Sequence, residues 1–402
     1  MIIDFSISNY RSIREMQTLS FEATNDKHLE EYFVIKVGKY RLLKIATILG
    51  ANASGKSNVL KAFYMLRELL LEPCQNKESS IDYDKFALDE ECLQRPSVMK
   101  VNFIVGESKY MYEVEFDNRV VYHELLKCQP FDASREYLVY ERSTDKESLV
   151  ASIKWGKGYC SAKNNKFLLS NLIHNRTVFG TYQNTNVDIP CIKEILDWIR
   201  SYFMPMITTS REQELMQYIS RKVLKGEIDK QDLLCELRKA DLGIDDFDII
   251  DRGKYVDVDM IHSGNFTLNF SQESHGTQRY YELCGLLLDL IGNSHFIAID
   301  DLDYTLHPDL FEHFVMSYIK NSNKSQIVIS THMREFLENR YEFRIDSIYF
   351  TEKCKKGNTD IYPLTNFERV ISDQKLNLYN LYKEGRFGGV PYLEEKHILY
   401  ME

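Results

Sequence analysis

The stretch Gly50-Ala51-Asn52-Ala53-Ser54-Gly55-Lys56-Ser57 constrains this chain more than any other. It fits G-x-x-x-x-G-K-[ST] in full. An apolar run, Ile45-Ala46-Thr47-Ile48-Leu49, precedes it, and a helix-like pattern, Asn58-Val59-Leu60-Lys61-Ala62-Phe63, follows. A strand, a glycine loop and a helix in that order turn backbone N–H groups toward one centre. The helix N-terminus adds the positive end of its dipole, and together they suit a phosphate. In that setting Lys56 reaches the outer phosphates and the Ser57 hydroxyl meets Mg2+.

The rest of the chain bounds what such a loop can serve. Its 402 residues allow two or three domains, or one large domain with an insertion. A formal net charge of −10 argues against coating DNA by bulk charge, although a local basic groove remains open. The 8 cysteines are scattered with no C-x-x-C pair, which reads against zinc and for reduced thiols. The start, Met1-Ile2-Ile3-Asp4-Phe5, carries charge too early for a signal peptide. No apolar run approaches the ~20 residues of a membrane span. The longest, Leu283 to Ile291, contains Asp289 and reads as a buried helix. A cytoplasmic protein without a membrane partner is expected.

Three regions are expected along the chain. Residues 1–154 read as a lobe holding the phosphate loop and a β-subdomain. Its strands cover residues 99–105 and 110–116, with a further hairpin over 137–154. Residues 155–245 read as a helical insertion, with 3.6-residue spacing in Ile192-Ile195-Leu196-Ile199 and Leu233-Leu234-Leu237. Residues 246–402 read as a second lobe: strands near 247–270, a helix from about 277, strand Phe296–Ile299, a helix from Leu310 and strand Gln326–Ile329. Lys154, Trp155, Lys157, Tyr159, Lys163 and Lys166 mix cations with aromatics. They read first as a solvated hairpin tip and second as a nucleic-acid contact by phosphate pairing and stacking.

Four elements in the second lobe narrow the chemistry. Phe296-Ile297-Ala298-Ile299-Asp300-Asp301 is an apolar strand ending in acids, where Asp300 suits Mg2+ and Asp301 suits a base or a water-positioning group. Leu306-His307-Pro308 reads as a turn into a helix. Ser330-Thr331-His332 follows a strand, so His332 faces the crevice where ligands bind. Glu273-Ser274-His275-Gly276-Thr277 opens a helix and offers a second N-terminus to phosphate. Taken singly, each is also an ordinary cap or strand end.

In this order the motifs resemble ABC-type ATPase heads of the RecF/SMC/OLD (overcoming lysogenization defect) group. The chain looks closest to the stand-alone ATPases of abortive-infection and other phage-defence operons. Ile7-Ser8-Asn9-Tyr10-Arg11-Ser12-Ile13 matches their I-x-N-[FY]-[RK]-[SG] start, and Glu273–Thr277 matches their E-S-x-G-T signature. Tyr382-Lys383-Glu384-Gly385-Arg386-Phe387-Gly388-Gly389-Val390-Pro391 matches their Y-x-x-G-R-[FY]-G-[AG]-[IV]-P. The resemblance implies an α/β fold, with mixed and antiparallel sheets around the phosphate-loop helix. It implies ATP and Mg2+ as cofactors. Nucleotide would be bound by Gly50, Asn52, Ala53, Ser54, Gly55, Lys56, Ser57, Asn58 and Arg11, and from a second subunit by Ser274 and Gly276. Mg2+ would be bound by Ser57 and Asp300, and catalysis carried by Lys56, Asp301 and the switch histidine His332. No Q-loop glutamine is placed.

One position departs from the family pattern: Asp301 stands where Glu is usual. One methylene less draws the carboxylate back by roughly 1.5 Å, and a misplacement of about 1 Å costs ~10²-fold in rate. Slow hydrolysis is therefore expected, with Asp303 as the second-choice carboxylate. Partners implied are a second copy, head to tail or in a higher oligomer, and a neighbour-encoded effector such as a nuclease or another toxin. A nucleic acid or phage protein would be the trigger. No counterpart of the OLD-type Toprim nuclease is expected in the stretch after Ser330-Thr331-His332. The alternatives are a RecF-like ATPase acting on DNA in repair or chromosome maintenance, and a transporter subunit; the signature and the Asn9–Ile13 start speak against the latter.

Overall fold

In the computed structural model, which describes residues 1–208, 212–264, 266–339, 341–371 and 376–391, two sheets grip one helix. Strands β1 (Ile2–Ser8) and β2 (Gln17–Ser20) flank the Asn9–Ile13 turn. β3 (Val34–Val37) and β4 (Tyr40–Leu43) form a small hairpin, and β5 (Ile45–Gly50) runs into the phosphate loop and the helix Lys56–Leu71. A meander of β6 (Ser97–Val105), β7 (Ser108–Phe116), β8 (Val121–Pro130), β9 (Tyr137–Thr144) and β10 (Ala151–Trp155) follows. The helices Ala162–Asn171, Val178–Gln183, Pro190–Tyr202, Glu212–Leu224 and Lys230–Arg238 come next. β11 (Ile244–Asp251), β12 (Val256–His262) and β13 (Phe266–Asn269) lead to the helix His275–Gly292 and β14 (Phe296–Ile299). The helix Pro308–Asn321, β15 (Gln326–Ser330), β16 (Ile348–Lys353), β17 (Thr359–Pro363) and the helix Leu378–Lys383 close the order.

The expected α/β class holds, with mixed and antiparallel sheets. One sheet is antiparallel, ordered β10-β9-β8-β7-β6-β1-β2, and its strands alternate buried and half-buried residues as a one-sided sheet should. The other is ordered β14-β15-β5-β16-β17, with the first four strands parallel. β5 lies in its middle and is buried at every residue, which is why it reads as an unbroken apolar run.

The helix Lys56–Leu71 lies between the sheets, so it is apolar on more than one face: Val59, Leu60, Ala62, Phe63, Leu66 and Leu70 are all buried. Phe63 joins the layers. Its ring centroid is 4.3 Å from Phe5 of the antiparallel sheet and 5.1 Å from Phe296 of the parallel one. Phe203 continues the column at 4.7 Å from Phe296. Truncating a buried Phe at such a junction costs about 3–5 kcal/mol.

Two local readings shift. The helix expected from about 277 begins at His275, because the Ser274 side chain caps it by accepting from Thr277 N–H. The stretch read as helical between β10 and β11 holds one extended piece. Phe203 and Ile207 bridge in parallel to Phe296 and Ile299 of β14. Ile207 N–H donates to Ala298 O at 2.9 Å and Asp300 N–H donates to Ile207 O at 2.9 Å. These bonds satisfy an edge of β14 that would otherwise be bare.

Candidate nucleotide-binding site

The phosphate loop is shaped by two left-handed residues, Ala53 at φ 62° and Gly55 at φ 109°. At Gly55 a side chain would strike Thr359, so only glycine serves there. The loop is then braced from outside. Ser54 Oγ lies 2.6 Å from Thr351 Oγ1, and Thr359 Oγ1 donates to Ser54 O at 2.8 Å. Thr359 also reaches Ser12 Oγ at 2.8 Å, and Asn58 Nδ2 donates to the same oxygen at 2.7 Å. Ser54 and Asn58 thus hold the loop's shape by their side chains, while Asn52 and Ala53 stay exposed.

The charged groups converge at the carboxyl ends of the parallel strands, the edge of such sheets where ligands bind. Lys56 Nζ donates to Gly50 O at 3.0 Å and lies 3.1 Å from His332 Nε2. With the ammonium as donor, His332 accepts at Nε2 and carries its proton on Nδ1. Ser57 Oγ donates to Asp300 Oδ1 at 3.0 Å, and Ser330 Oγ donates to the same oxygen at 2.6 Å. Burial lowers the Lys56 ammonium from its ordinary value, and Asp301, Asp300 and Asp303 oppose that shift. Burial and then the neighbouring Asp300 push the Asp301 carboxyl above its ordinary range, against Lys56 and His332.

Asp301 has a positive φ of 46° and its side chain is 39% exposed. Its Oδ1 stands 4.0 Å from His332 Nε2. Asp303 is differently occupied: both its oxygens accept from His332 backbone N–H at 3.3 Å. Asp303 therefore positions the histidine's backbone, and Asp301 remains the carboxylate facing the crevice.

Arg11, at φ 50°, pairs with Asp84 at 3.2 Å and donates through Nε to Tyr10 Oη at 3.2 Å. Tyr10 and Arg11 line a cavity of about 620 Å³ together with Lys61, Glu68, Ser80 and Thr208. Ser57, Lys61, Tyr64 and Glu68 follow helical i, i+3/i+4 spacing, so the cavity opens about one turn along the face that carries Ser57. Ser274 and Gly276 open a different helix, His275–Gly292, with Ser274 as its cap. Ser274 bonds within its own helix, and the space beside Gly276 is bounded by Thr305 O.

A family model described as "AAA domain, putative AbiEii toxin, Type IV TA system" matches residues 45–152 and 195–338, well over half of the chain. The chain belongs to this AAA-domain family. No curated protein matches it. Among solved structures it is similar to an Smc head bound to the C-terminal winged-helix domain of ScpA, at 13% identity and TM-score 0.45, covering 90% of this chain and 97% of that one. It is also similar to the SMC head domain from Thermotoga maritima, at 12% identity and TM-score 0.36, covering 90% of this chain and 98% of that one. A third is the Smc head with an extended coiled coil, bound to the C-terminal domain of ScpA, from Pyrococcus furiosus. It stands at 10% identity and TM-score 0.42, covering 93% of this chain and 99% of that one.

In this AAA-family chain the oxygen donors fit Mg2+. The Ser57 hydroxyl and the Asp300 carboxylate are hard ligands held 3.0 Å apart. Among the described residues no group of three or more His, Cys, Asp or Glu forms a metal cage. A Mg2+ that takes its other ligands from nucleotide and water needs none. Sequence reasoning missed the bracing residues Ser12, Thr351 and Thr359, and the orienting Ser330. It also missed Thr208, which follows Ile207 beside the Asp300 backbone. Only Ser12 and Ser330 lay within quoted motifs, and hydroxyls carry no period that would single them out. Of the mixed Lys154–Lys166 stretch, the lysines are exposed, but Trp155 packs at 5.4 Å from Tyr140 and donates to Asn165 Oδ1 at 2.9 Å. Its ring is committed to the fold. No helix among the described residues is long and apolar enough to cross a membrane.

Proposed function

We propose that this chain binds MgATP on Gly50–Ser57, closes on it head to tail with a second copy, and hydrolyses it slowly. The closed state would control a separately encoded effector, a nuclease or another toxin, in antiviral defence. The observation that carries this reading is the convergence of Lys56, Ser57, Asp300, Asp301 and His332 at the carboxyl edge of one parallel sheet. The family description, with its toxin system, supports the defence setting.

Each group has a role that its position suits. Backbone N–H groups of Ala53 to Ser57 cradle the phosphates, and Lys56 exchanges its bond to Gly50 O for phosphate oxygens. Bound Mg2+ neutralises charge on the phosphate oxygens. Asp301 orients and deprotonates the attacking water, and His332, freed at Nε2 as Lys56 turns to the phosphates and then protonated there, donates toward the outer phosphate. Ser274 and Gly276 of a second copy cap that phosphate from the other side. ATP bound only in the closed form stabilises it by ~2.7 kcal/mol per site at 100-fold excess over Kd. Loss of the γ-phosphate releases it. The cavity beside Arg11 and Ser80 takes the base and ribose.

The test has two parts. Titration with a fluorescent ATP analogue should give Mg2+-dependent binding to wild type, and light scattering should give an ATP-dependent dimer. A wild type that binds no nucleotide ends the reading. Native mass spectrometry of the particle purified from its own operon should then retain a neighbour-encoded protein. A bare homodimer carrying DNA would instead favour the RecF-like alternative.

A further inference from the structure

The segment Tyr382–Pro391 lies outside the stretches matched by the family model and has no part in the site as described so far. It folds against the phosphate loop. Gly385, Gly388 and Gly389 all have positive φ, at +76°, +68° and +67°. A Cβ placed on Gly389 would stand 3.7 Å from Gly50 Cα and 3.3 Å from Thr351 O. Tyr382 Oη donates to Gly389 O at 3.0 Å and fixes that approach. Phe387 is fully buried in a small core with Leu49, Phe350 and Tyr382, and Leu49 is the residue before Gly50. The turn is thus tied to both residues where β5 becomes the phosphate loop.

The same unit touches the other side of the site. The helix Leu378–Lys383 meets the chain just beyond His332: the Arg334 guanidinium lies 5.6 Å above the Tyr379 ring, and Leu337 joins the small core. One short helix and its glycine turn therefore span from Gly50 to the segment that follows the switch histidine.

We propose that Tyr382 and Gly389 are positioning residues of the nucleotide site. They keep the entry of the phosphate loop and the His332 segment in one arrangement, so that affinity for the terminal phosphate depends on them although neither touches nucleotide. This rests on the reading that Gly50–Ser57 binds ATP. Side chains that only stabilise the fold would move the melting temperature and leave ATP and ADP affinities in their wild-type ratio.

The experiment measures binding of fluorescent ATP and ADP analogues to the full chain, with thermal melting alongside. Tyr382→Phe removes one hydrogen bond, keeps the ring, and should weaken ATP about 5-fold and ADP less. Gly389→Ala should weaken ATP about 10-fold or more, because the new Cβ presses on Thr351 O beside the loop. Gly253→Ala is the control: its φ is +81° with open space around it, so it carries a similar left-handed cost far from the loop and should bind as wild type. Wild-type ATP affinity in Gly389→Ala would overturn the proposal, as would equal weakening in Gly389→Ala and Gly253→Ala. If Gly389→Ala does not fold, Tyr382→Phe decides, and an unchanged ATP-to-ADP ratio refutes it. A wild type that binds no nucleotide removes the site reading itself, and this inference with it.

Discussion

The phosphate loop and the signature turn are both helix N-termini, yet they are held in opposite ways. The loop is braced from several directions: Thr351 and Thr359 behind it, Ser12 beside it, Asp300 and Gly389 across from it. The signature is braced locally. Ser274 caps its own helix, Glu273 pairs with His262 at 2.6 Å, and Ser274 and His275 stay exposed. A helix end presents orphan N–H groups that need an acceptor. In the first case the chain builds a cradle around that need. In the second it leaves the helix end facing outward, which is the form a half-site takes when a second molecule completes it. Under the proposed head-to-tail closure, the two regions would divide the work into a preformed part and a donated part.

The comparison breaks first at Lys56. Lys56→Ala removes the buried ammonium that bonds Gly50 O and His332. Charge-assisted bonds to phosphate are the strong ones, so ATP binding should fall about 100-fold or more. Titration with a fluorescent ATP analogue reads this directly. Near-wild-type binding would mean that the preformed cradle is not the phosphate site.

Ser274→Arg sharpens the other half. The change is exposed, and it places a bulky cation where the proposed partner's nucleotide would arrive. Binding to the isolated chain should stay within about 2-fold, while the ATP-dependent dimer seen by light scattering should disappear. Loss of binding in the monomer would show that Ser274 serves its own chain's nucleotide, and the division into two half-sites would fail.

How far these regions were readable in advance follows the same division. The loop, β5, β14 and β15 declare themselves because glycine spacing and apolar runs are local signals. Asp300 and His332 fall at strand ends for the same reason. The braces do not. Thr359 and Ser54 are 305 positions apart, and nothing in either neighbourhood announces the bond. The extended piece at Phe203–Ile207 was hidden because five residues within a helical stretch show no clear period, and its partner β14 lies far along the chain. Gly389 was visible as part of a motif, but its contact with Gly50 is a property of the fold alone.

Asp301 separates positioning from chemistry within the preformed half. Asp301→Asn should abolish turnover and leave ATP binding intact. Asp301→Glu restores the missing methylene, and single-turnover hydrolysis should rise about 10-fold if reach is the limit. The raised Asp301 carboxyl also sets a sign: its ionised form, the one the proposed mechanism uses, is lost at a higher pH than for an ordinary Asp. The acid limb of the wild-type rate profile should therefore lie at higher pH than an ordinary aspartate would give. A turnover rate for Asp301→Asn equal to wild type would remove Asp301 from the mechanism.

The smallest effect concerns the root of the cradle. Lys44 precedes β5, is 1% exposed, and donates to Ile319 O at 2.9 Å. Burial pushes its ammonium down from 10.5 to about 8. Below pH 8 both the folded and unfolded chains carry the proton, so the full cost of the buried charge is present. Between pH 8 and 10.5 the folded chain releases a proton that the unfolded chain keeps, and the cost fades as pH rises. Lys44→Met avoids that cost but leaves Ile319 O without its donor, which offsets part of the gain. The net sign at pH 7 is therefore set by two opposed terms, whereas the pH dependence comes from one. Relative to Lys44→Met, wild type should gain about 1 kcal/mol of stability between pH 7 and pH 9, read by urea unfolding of both proteins. Taking the difference cancels the tyrosines and cysteines that titrate in the same range. A gap that stays constant over that interval would mean that the Lys44 ammonium is solvated and titrates as an ordinary lysine, and that β5 enters the phosphate loop from a looser root than its buried neighbours imply.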